Sequence, residues 1–326
     1  MVTVHGISAP LPPLTTPVAT LGAFDGVHRG HQRILEATLH WAAELSGHPV
    51  ALTFDPLPKA VLGPGGALCL TSLEHRLSLI GDMGFYLTIV VPFNVSVAMI
   101  SADDFVRGIV VGWIGARHVV FGHDSTFGRR AEGNLSLLRR MEAHGILEVR
   151  SPAPVRHRGE VISSTTIRRA ISNGDLESAE AMLGRPFSLL GTVVRGDGRG
   201  RTLGFPTANL DLHHEVVPPD GIYATLARLG RHTLPSLTYV GRRPTFASHD
   251  TDTAIEVHLI AFDGDIYGRD MEVQFVKRLR EDRRFPSPDA LAAQMRADRE
   301  AALACMPLDI PPSPTRSHPH SPGTTG

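Results

Sequence analysis

The chain has 326 residues, and its 32 Lys+Arg and 33 Asp+Glu give a formal net charge of -1. This balance disfavours a general nucleic-acid binder, which is usually strongly basic. Two cysteines are too few for a disulfide framework or a thiolate metal cluster. No apolar run reaches the roughly 18 residues of a membrane span, and Met1–Val18 lacks the pattern of a signal peptide. The length predicts two domains, and we expect a cytoplasmic protein with neither membrane nor nucleic-acid partners.

In the first half of the chain, short apolar runs alternate with helical patterns. Strands are predicted at Val18–Phe24, Val50–Phe54, Leu87–Val91, His118–Phe121 and Leu147–Val149. Helices are predicted at His31–Ser46, Ser72–Met83 and Leu135–Ala143, and another begins after Ser101. This alternation predicts an α/β domain with a doubly wound parallel sheet. Ligands of such sheets bind at the carboxyl ends of the strands.

The pattern changes after about Gly184. Short strands are predicted at Leu189–Arg195, Ile222–Leu229, Leu237–Val240, Ile255–Ile260 and Met271–Phe275. Because no helices separate them, they predict an all-β antiparallel barrel or sandwich. A closing helix starts at Ser287 and Pro288. We therefore divide the chain into domains at residues 1–186 and 187–309 and a disordered, proline-rich tail at 310–326.

The first candidate site is the run from Gly22 to His31, between a predicted strand and a predicted helix. His28 and His31 are three residues apart, so at a helix start they can face the same way. The helix start also supplies free N–H groups, and Gly30 permits close approach of a ligand. This pattern indicates a site for the α-phosphate of a nucleotide and its departing pyrophosphate. The alternative is two solvated histidines in a turn, in a chain with 17 histidines.

A second segment, Ser163–Arg168, places hydroxyl groups and an arginine at a predicted helix start. These groups can hold the outer phosphates of ATP. An ordinary N-cap is the simpler interpretation of this segment taken alone, because Ser and Thr are favoured caps.

The glycine-rich run from Gly196 to Asn209 is the candidate site of the second domain. It is not a P-loop, because no Gly-Lys-Ser/Thr follows the glycines, and Pro206 excludes a Rossmann fingerprint. A glycine-rich turn can still direct backbone N–H groups at phosphate. Thr207 and Asn209 are two apart in an extended segment, so both oxygens can point to one side and bind a Mg²⁺ on ATP. The alternative is a flexible hairpin loop.

These motifs resemble one known family. The runs Gly22–His31, Thr53–Pro58, Gly122–Gly133 and Ser163–Arg168 occur in the order seen in the bacterial bifunctional riboflavin kinase/FAD synthetase family, and Phe205–Asn209 is similar to its flavokinase signature. Further matches lie at Val240–Phe246, Ile255–Leu259, Tyr267–Gly268 and Phe285. The resemblance covers roughly residues 15–305.

The resemblance implies a Rossmann-like nucleotidylyltransferase domain that adenylylates FMN to FAD, releasing pyrophosphate. It also implies a six-stranded flavokinase β-barrel with a closing helix that phosphorylates riboflavin to FMN with ATP. Mg²⁺ is expected on the triphosphate. His28 and His31 would act at the α-phosphate, and Glu256 would accept the proton of the riboflavin hydroxyl.

The remaining implied positions fall into four groups. ATP contacts of the first domain are Gly22, Phe24, Asp25, Gly30, Ser164, Thr165 and Arg168. Flavin contacts of the first domain are Phe54, Pro56, Pro58, Asp124 and Phe127. ATP contacts of the second domain are Gly196, Gly200, Arg201, Gly204 and Pro206, and the Mg²⁺ ligands are Thr207 and Asn209.

The chain departs from the family pattern at four positions. Ala23 replaces a usual asparagine, Leu57 a histidine, Ser125 an aromatic residue and Ala261 an aspartate. Leu57 and Ser125 both fall on the adenylylating site. Two alternatives to the bifunctional enzyme therefore stay open: a monofunctional riboflavin kinase with an impaired first domain, and a non-catalytic flavin-binding regulator. In each case we expect small-molecule ligands and a monomer or weak homo-oligomer.

Overall fold

A computed structural model of the chain describes residues 1–63, 68–196, 204–212, 216–242 and 253–306. The chain divides into two compact units, the first comprising Met1–Arg185 and the second beginning at Pro186. The predicted tail at 310–326 and two of the predicted ATP contacts, Gly200 and Arg201, lie outside the described residues. Within the described ranges, every helix is too short or too polar to cross a membrane.

The first unit is built on a six-stranded sheet in the order β1-β4-β3-β2-β5-β6. Every strand pair in it is parallel. The strands are β1 Val2–His5, β2 Val18–Leu21, β3 Pro49–Asp55, β4 Leu87–Pro92, β5 His118–Val120 and β6 Glu148–Arg150. Strand order reverses at β2, with β3 and β4 on one side and β5 and β6 on the other. The predicted doubly wound sheet is confirmed, and its switch point lies between β2 and β5, where ligands of such sheets bind.

Helices and short turns connect or follow these strands. The helices are α1 Arg29–Glu44, α2 Pro58–Leu62, α3 Leu73–Asp82, α4 Val95–Ala98, α5 Ala102–Asp104, α6 Leu135–Ala143, α7 Ser164–Ser172 and α8 Leu176–Leu183. A π-helix at Phe105–Trp113 continues α5, a 3₁₀ turn spans Arg129–Ala131, and a hairpin pairs β7 Arg156–His157 with β8 Glu160–Val161. The core beneath them is formed by the strands, where Val50, Leu52 and Ile89 are fully buried.

The second unit is a closed antiparallel barrel in the order β10-β13-β12-β11-β14-β9. The strands are β9 Ser188–Val194, β10 Ala208–Leu212, β11 Gly221–Leu229, β12 His232–Arg242, β13 Thr253–Leu259 and β14 Asp270–Arg280. A closing helix, which we label α9, spans Pro288–Ala304 and is capped by the Ser287 side chain. The choice between a barrel and a sandwich, left open by the pattern, is therefore settled as a barrel.

Strand register in the barrel brings distant motifs together. Asn209 on β10 pairs with Glu256 on β13, and Tyr239 on β12 pairs with Glu256 from the other side. Glu256 is thus flanked by the end of the glycine-rich segment on one neighbouring strand and by an aromatic residue on the other.

Candidate active sites

The first site is built where β2 ends and α1 begins. His28 is the N-cap of α1, and its Nδ1 accepts a hydrogen bond of 3.3 Å from the backbone N–H of His31. The two imidazole rings are stacked, with centroids 3.6 Å apart and an interplanar angle of 16°. The rings therefore lie side by side, as their spacing predicts. Phe24 packs its ring edge-on against His31 at 5.5 Å.

Both imidazoles are held in the neutral form at pH 7. Burial lowers the pKa of His28 from 6.5 to about 4; the nearby positive charge of Arg185 also lowers it, and a backbone hydrogen bond opposes the shift. Burial also lowers the pKa of His31 well below its usual value, and electrostatic interactions with His28 and with the positive charge of Arg76 add to this. Each ring can donate a hydrogen bond to a phosphate oxygen, but neither supplies a permanent positive charge.

Asp25 ties the loop after β2 to the start of α7. Its buried carboxylate accepts hydrogen bonds from the N–H groups of Leu70 at 2.8 Å and Thr71 at 3.2 Å, and it pairs with Arg168. The Ser164 hydroxyl donates to the backbone oxygen of Asp25 at 3.0 Å. Of the predicted phosphate contacts, Arg168 is therefore engaged by a carboxylate in this structure.

Two cavities lie beside this loop. We call the first the polar cavity; it measures about 200 Å³. Six predicted site residues line it, namely His28, Gly30, His31, Asp124, Ser164 and Thr165. Gly22, Phe24, Asp25 and Arg168 do not line it. Phe24 and Asp25 contact residues that do line it, His31 and Ser164, while Gly22 packs against Phe24 and Arg168 pairs with Asp25.

The second, which we call the apolar cavity, measures about 300 Å³. Three of the predicted flavin contacts, Phe54, Pro58 and Phe127, line it, whereas Pro56 lines neither cavity. Asp124, predicted on the flavin side, lies in the polar cavity instead. Aromatic and aliphatic walls of this kind suit a planar ring system.

In the barrel, the second site is centred on Glu256. The Thr207 hydroxyl donates a hydrogen bond of 3.3 Å to its Oε2. A Cβ at Gly196 would lie 1.9 Å from the Asn209 amide nitrogen, so only glycine fits there against the Asn209 side chain. The Nδ1–H of His258 donates to the backbone oxygen of Pro206 at 2.9 Å. The predicted Thr207, Asn209 and Glu256 are thus neighbours in three dimensions.

Two cavities also meet at this second site. The helix-side cavity, about 330 Å³, is lined by Glu256 together with Tyr239 and Phe285. The loop-side cavity, about 510 Å³, is lined by Pro206 and by the loop from Phe262 to Tyr267. Thr207 lines both. The predicted Gly204 lines neither. A group passed between ligands in the two cavities would cross beside Thr207 and Glu256.

Comparison with known proteins matches each half of the chain to a known family. A riboflavin kinase family model matches residues 183–306, and an FAD synthetase family model matches residues 13–166. A bifunctional riboflavin kinase/FMN adenylyltransferase of Pseudomonas fluorescens is 36% identical over 287 residues, covering 88% of this chain and 92% of that protein. The chain belongs to the bifunctional riboflavin kinase/FMN adenylyltransferase family.

Other relatives extend the match along most of the chain. The Bacillus subtilis member of the family is 33% identical over 290 residues, covering 88% of this chain and 91% of that protein. A crystal structure of a Streptococcus pneumoniae protein, described as a macrolide-efflux protein, is 30% identical with a TM-score of 0.80. That match covers 93% of this chain and 99% of the other.

Two departures from the family pattern can now be placed. Leu57 is buried at the N-cap position of α2 and lines neither the polar nor the apolar cavity. Ser125 lines the polar cavity, so an aromatic residue there would face that cavity. Neither position lines the apolar cavity.

Three positions that support or line these sites were not found from the sequence. Buried Arg76 on α3 donates to the backbone oxygens of Ala23 at 3.0 Å and Phe54 at 2.9 Å, joining the ends of β2 and β3. In the helix-side cavity, Arg280 makes an ion pair of 2.8 Å with buried Asp298. The sequence shows Arg76 only as one arginine inside the predicted helix Ser72–Met83. Its hydrogen-bond partners lie on distant segments, so the sequence pattern does not reveal its contacts.

Proposed function

We propose that the two activities of this family are divided between the two units of the chain. As a member of the family, the chain phosphorylates riboflavin to FMN and adenylylates FMN to FAD. We assign the first reaction to the barrel and the second to the α/β unit. The observation that carries the assignment is the position of Thr207 and Glu256 where two cavities of the barrel meet.

In the barrel, we place riboflavin in the helix-side cavity and ATP in the loop-side cavity. The terminal hydroxyl of riboflavin is a weak nucleophile, so an oriented carboxylate that accepts its proton helps the transfer. Glu256 lines the riboflavin side and fills this role. The Thr207 hydroxyl donates a hydrogen bond to its Oε2 and so orients the carboxylate.

Thr207 and Asn209 also fit the Mg²⁺ that accompanies ATP. Both offer neutral oxygen donors, and the absence of a Cβ at Gly196 leaves room for the Asn209 side chain. Among the described residues, no cluster of three or more His, Cys, Asp or Glu forms a metal site. The two neutral oxygen ligands of Thr207 and Asn209 suit Mg²⁺, because this ion binds few protein ligands together with substrate phosphates. When bound, it would neutralise phosphate charge.

In the α/β unit, the phosphate of FMN attacks the α-phosphorus of ATP, and pyrophosphate leaves. The nucleophile is already an anion, so alignment and electrostatic stabilisation matter more than a base. Neutral His28 and His31 donate hydrogen bonds to the reacting phosphate, and Ser164 and Thr165 contact the outer phosphates. Because Arg168 pairs with Asp25, we assign these two residues to hold the loop against α7.

A time course with riboflavin and Mg-ATP, followed by chromatography, tests this division. We expect FMN first and FAD later, because FMN is the substrate of the second reaction. FMN alone would favour the monofunctional kinase, and unchanged riboflavin would favour the flavin-binding regulator. We further propose that the enzyme is cytoplasmic and works as a monomer or weak homo-oligomer, which sedimentation at several concentrations would measure.

A further inference from the structure

Lys59 on α2 has no part in the roles assigned above. It lines the polar cavity beside His28 and Ser164. In the described part of the chain, its exposed ammonium group makes no hydrogen bond or ion pair. Lys59 and Lys277, the latter exposed on β14 in the other unit, are the two lysines of the sequence. An unpaired cation beside a cavity assigned to phosphates is available to bind an anionic ligand.

The charged groups that line the polar cavity show why the Lys59 ammonium group is important for binding an anion. Five titratable side chains line the described walls: His28, His31, Lys59, His123 and Asp124. His28 and His31 are neutral at pH 7 because burial lowers the pKa of each. Asp124 contributes a carboxylate, and its Oδ1 lies 3.5 Å from His123 Nδ1. Among these lining residues Lys59 carries the permanent positive charge, which anionic phosphates need for stabilisation.

The position of Lys59 on α2 indicates which phosphate it meets. Its neighbour Pro58 and the later Leu62 line the apolar cavity, whereas Lys59 lines the polar cavity. The short helix α2 therefore contributes to both. A flavin whose ring lies in the apolar cavity must carry its side-chain phosphate past α2 to reach the histidines, and so past the Lys59 ammonium.

We propose that Lys59 binds the 5′-phosphate of FMN and makes the adenylylating site select FMN over riboflavin. The inference rests on the proposed function, which places the flavin ring in the apolar cavity. In the reaction an oxygen of that phosphate bonds to the α-phosphorus of ATP. The bond from that phosphorus to the bridging oxygen breaks, and pyrophosphate leaves with the electron pair. Lys59 keeps its proton throughout and holds the nucleophile in place.

Amine labelling of the full-length enzyme tests the contact directly. With two lysines in the chain, acetylation by an N-hydroxysuccinimide ester can be quantified at each by peptide mass spectrometry. We expect saturating FMN to slow acetylation of Lys59 severalfold, riboflavin to leave it unchanged, and Lys277 to react equally in all samples. Equal protection of Lys59 by riboflavin, or no protection by FMN, would overturn the proposal. This measurement needs no turnover, so it separates failure of the proposal from failure to form FAD.

Substitution of Lys59 gives a second, kinetic readout. We expect Lys59→Met to raise the KM for FMN in FAD formation by roughly tenfold, the effect of about 1.4 kcal/mol, while kcat changes little. Lys59→Arg should restore most of the affinity, because the positive charge is kept. Lys277→Met is the matched control and should leave both constants unchanged. A lower kcat with an unchanged KM for FMN would instead place Lys59 on the pyrophosphate, and the proposal would be wrong.

Discussion

At the scale of single residues, Glu256 offers the sharpest test of the kinase site. Glu256→Gln keeps the shape and the bond from Thr207 but removes a basic oxygen. We expect FMN formation to fall on the order of 10²-fold or more, the range for loss of a general base. FAD formation from added FMN should persist, because His28 and His31 lie in the other unit. Both rates are measured by chromatography of the flavins.

The control for this substitution is Glu300→Gln, which makes the same change at an exposed position on α9. It should leave both rates unchanged. If Glu256→Gln lowered the two activities equally, a general loss of folding would explain the result, and the assignment of Glu256 as proton acceptor would fail.

His28 provides a second prediction, based on stability rather than rate. In the unfolded chain the imidazole takes up a proton below about pH 6.5, whereas in the folded protein its pKa is about 4. Between these values the unfolded state binds more protons. The free energy of unfolding of the first unit should therefore fall as the pH drops from 6.5 to 4, by about 1.4 kcal/mol per pH unit for one proton.

Urea unfolding at several pH values measures this slope. His28→Asn is the matched variant, because asparagine is a good N-cap and retains an acceptor for the His31 N–H. We expect a shallower slope in the variant over the same pH window. The same slope in both proteins would show that burial of His28 does not cause the loss of stability of the first unit at low pH.

How residues within one motif lie next to each other could be predicted from the sequence, whereas the residues that contact the motif from distant segments could not. The side-by-side rings of His28 and His31 follow from their spacing at a helix start. Arg76 donates hydrogen bonds to segments that lie far away along the chain, and Lys59 lines a cavity that is built from such segments. A lysine in a short helix and an arginine in a longer one have no local pattern that distinguishes them from surface residues.

At the scale of elements, the sequence predicted most strands and helices but not their full extents. β14 runs over Asp270–Arg280, whereas alternation predicts only Met271–Phe275. The unpredicted part is rich in basic residues and so lacks the apolar alternation on which the prediction depends. β1, at Val2–His5, was missed because a four-residue edge strand has too few positions to show a period. Both are held by pairing with neighbouring strands.

The pairing of β9 with β10 leads to a prediction about Gly196, which follows the end of β9. Gly196 comes just after β9 and faces the Asn209 side chain on β10. Gly196→Ala would displace the side chain of Asn209, which is the cross-strand partner of Glu256. We expect kinase activity to fall by roughly tenfold or more, a cost of about 1.4 kcal/mol, with FAD formation from FMN retained. Activity per folded molecule, with folding checked by circular dichroism, is the measurement.

Gly230→Ala separates this effect from simple destabilisation. Gly230 lies in a hairpin turn with a φ of +61°, and nothing lies within 4 Å of an added Cβ. The substitution should lower stability, because alanine is strained there, and leave the kinase rate of the folded protein unchanged. If both variants lose the same kinase activity, the Asn209 contact is not the cause.

At the scale of the whole molecule, the sequence predicted two domains of different classes, and both architectures are present. What it could not predict is how each motif divides between cavities. Asp124 and Phe127 belong to one glycine-framed run, yet Asp124 lines the polar cavity and Phe127 the apolar cavity. A turn lies at His123 and Asp124, and Phe127 forms an isolated bridge with Gly133.

The two-unit architecture leads to a last prediction, for residues 187–309 expressed alone. The barrel is closed, so it leaves no unpaired edge strand, and α9 packs over residues of β11 and β12 to complete a core around Ala224 and Leu237. Glu256, Thr207 and Asn209 all lie within this fragment. We expect it to unfold cooperatively with β-type circular dichroism and to convert riboflavin to FMN without forming FAD. The matched fragment carrying Glu256→Gln should fold equally well and lose the kinase activity. A folded wild-type fragment that leaves riboflavin unchanged would contradict the proposal that the second unit contains the complete kinase site.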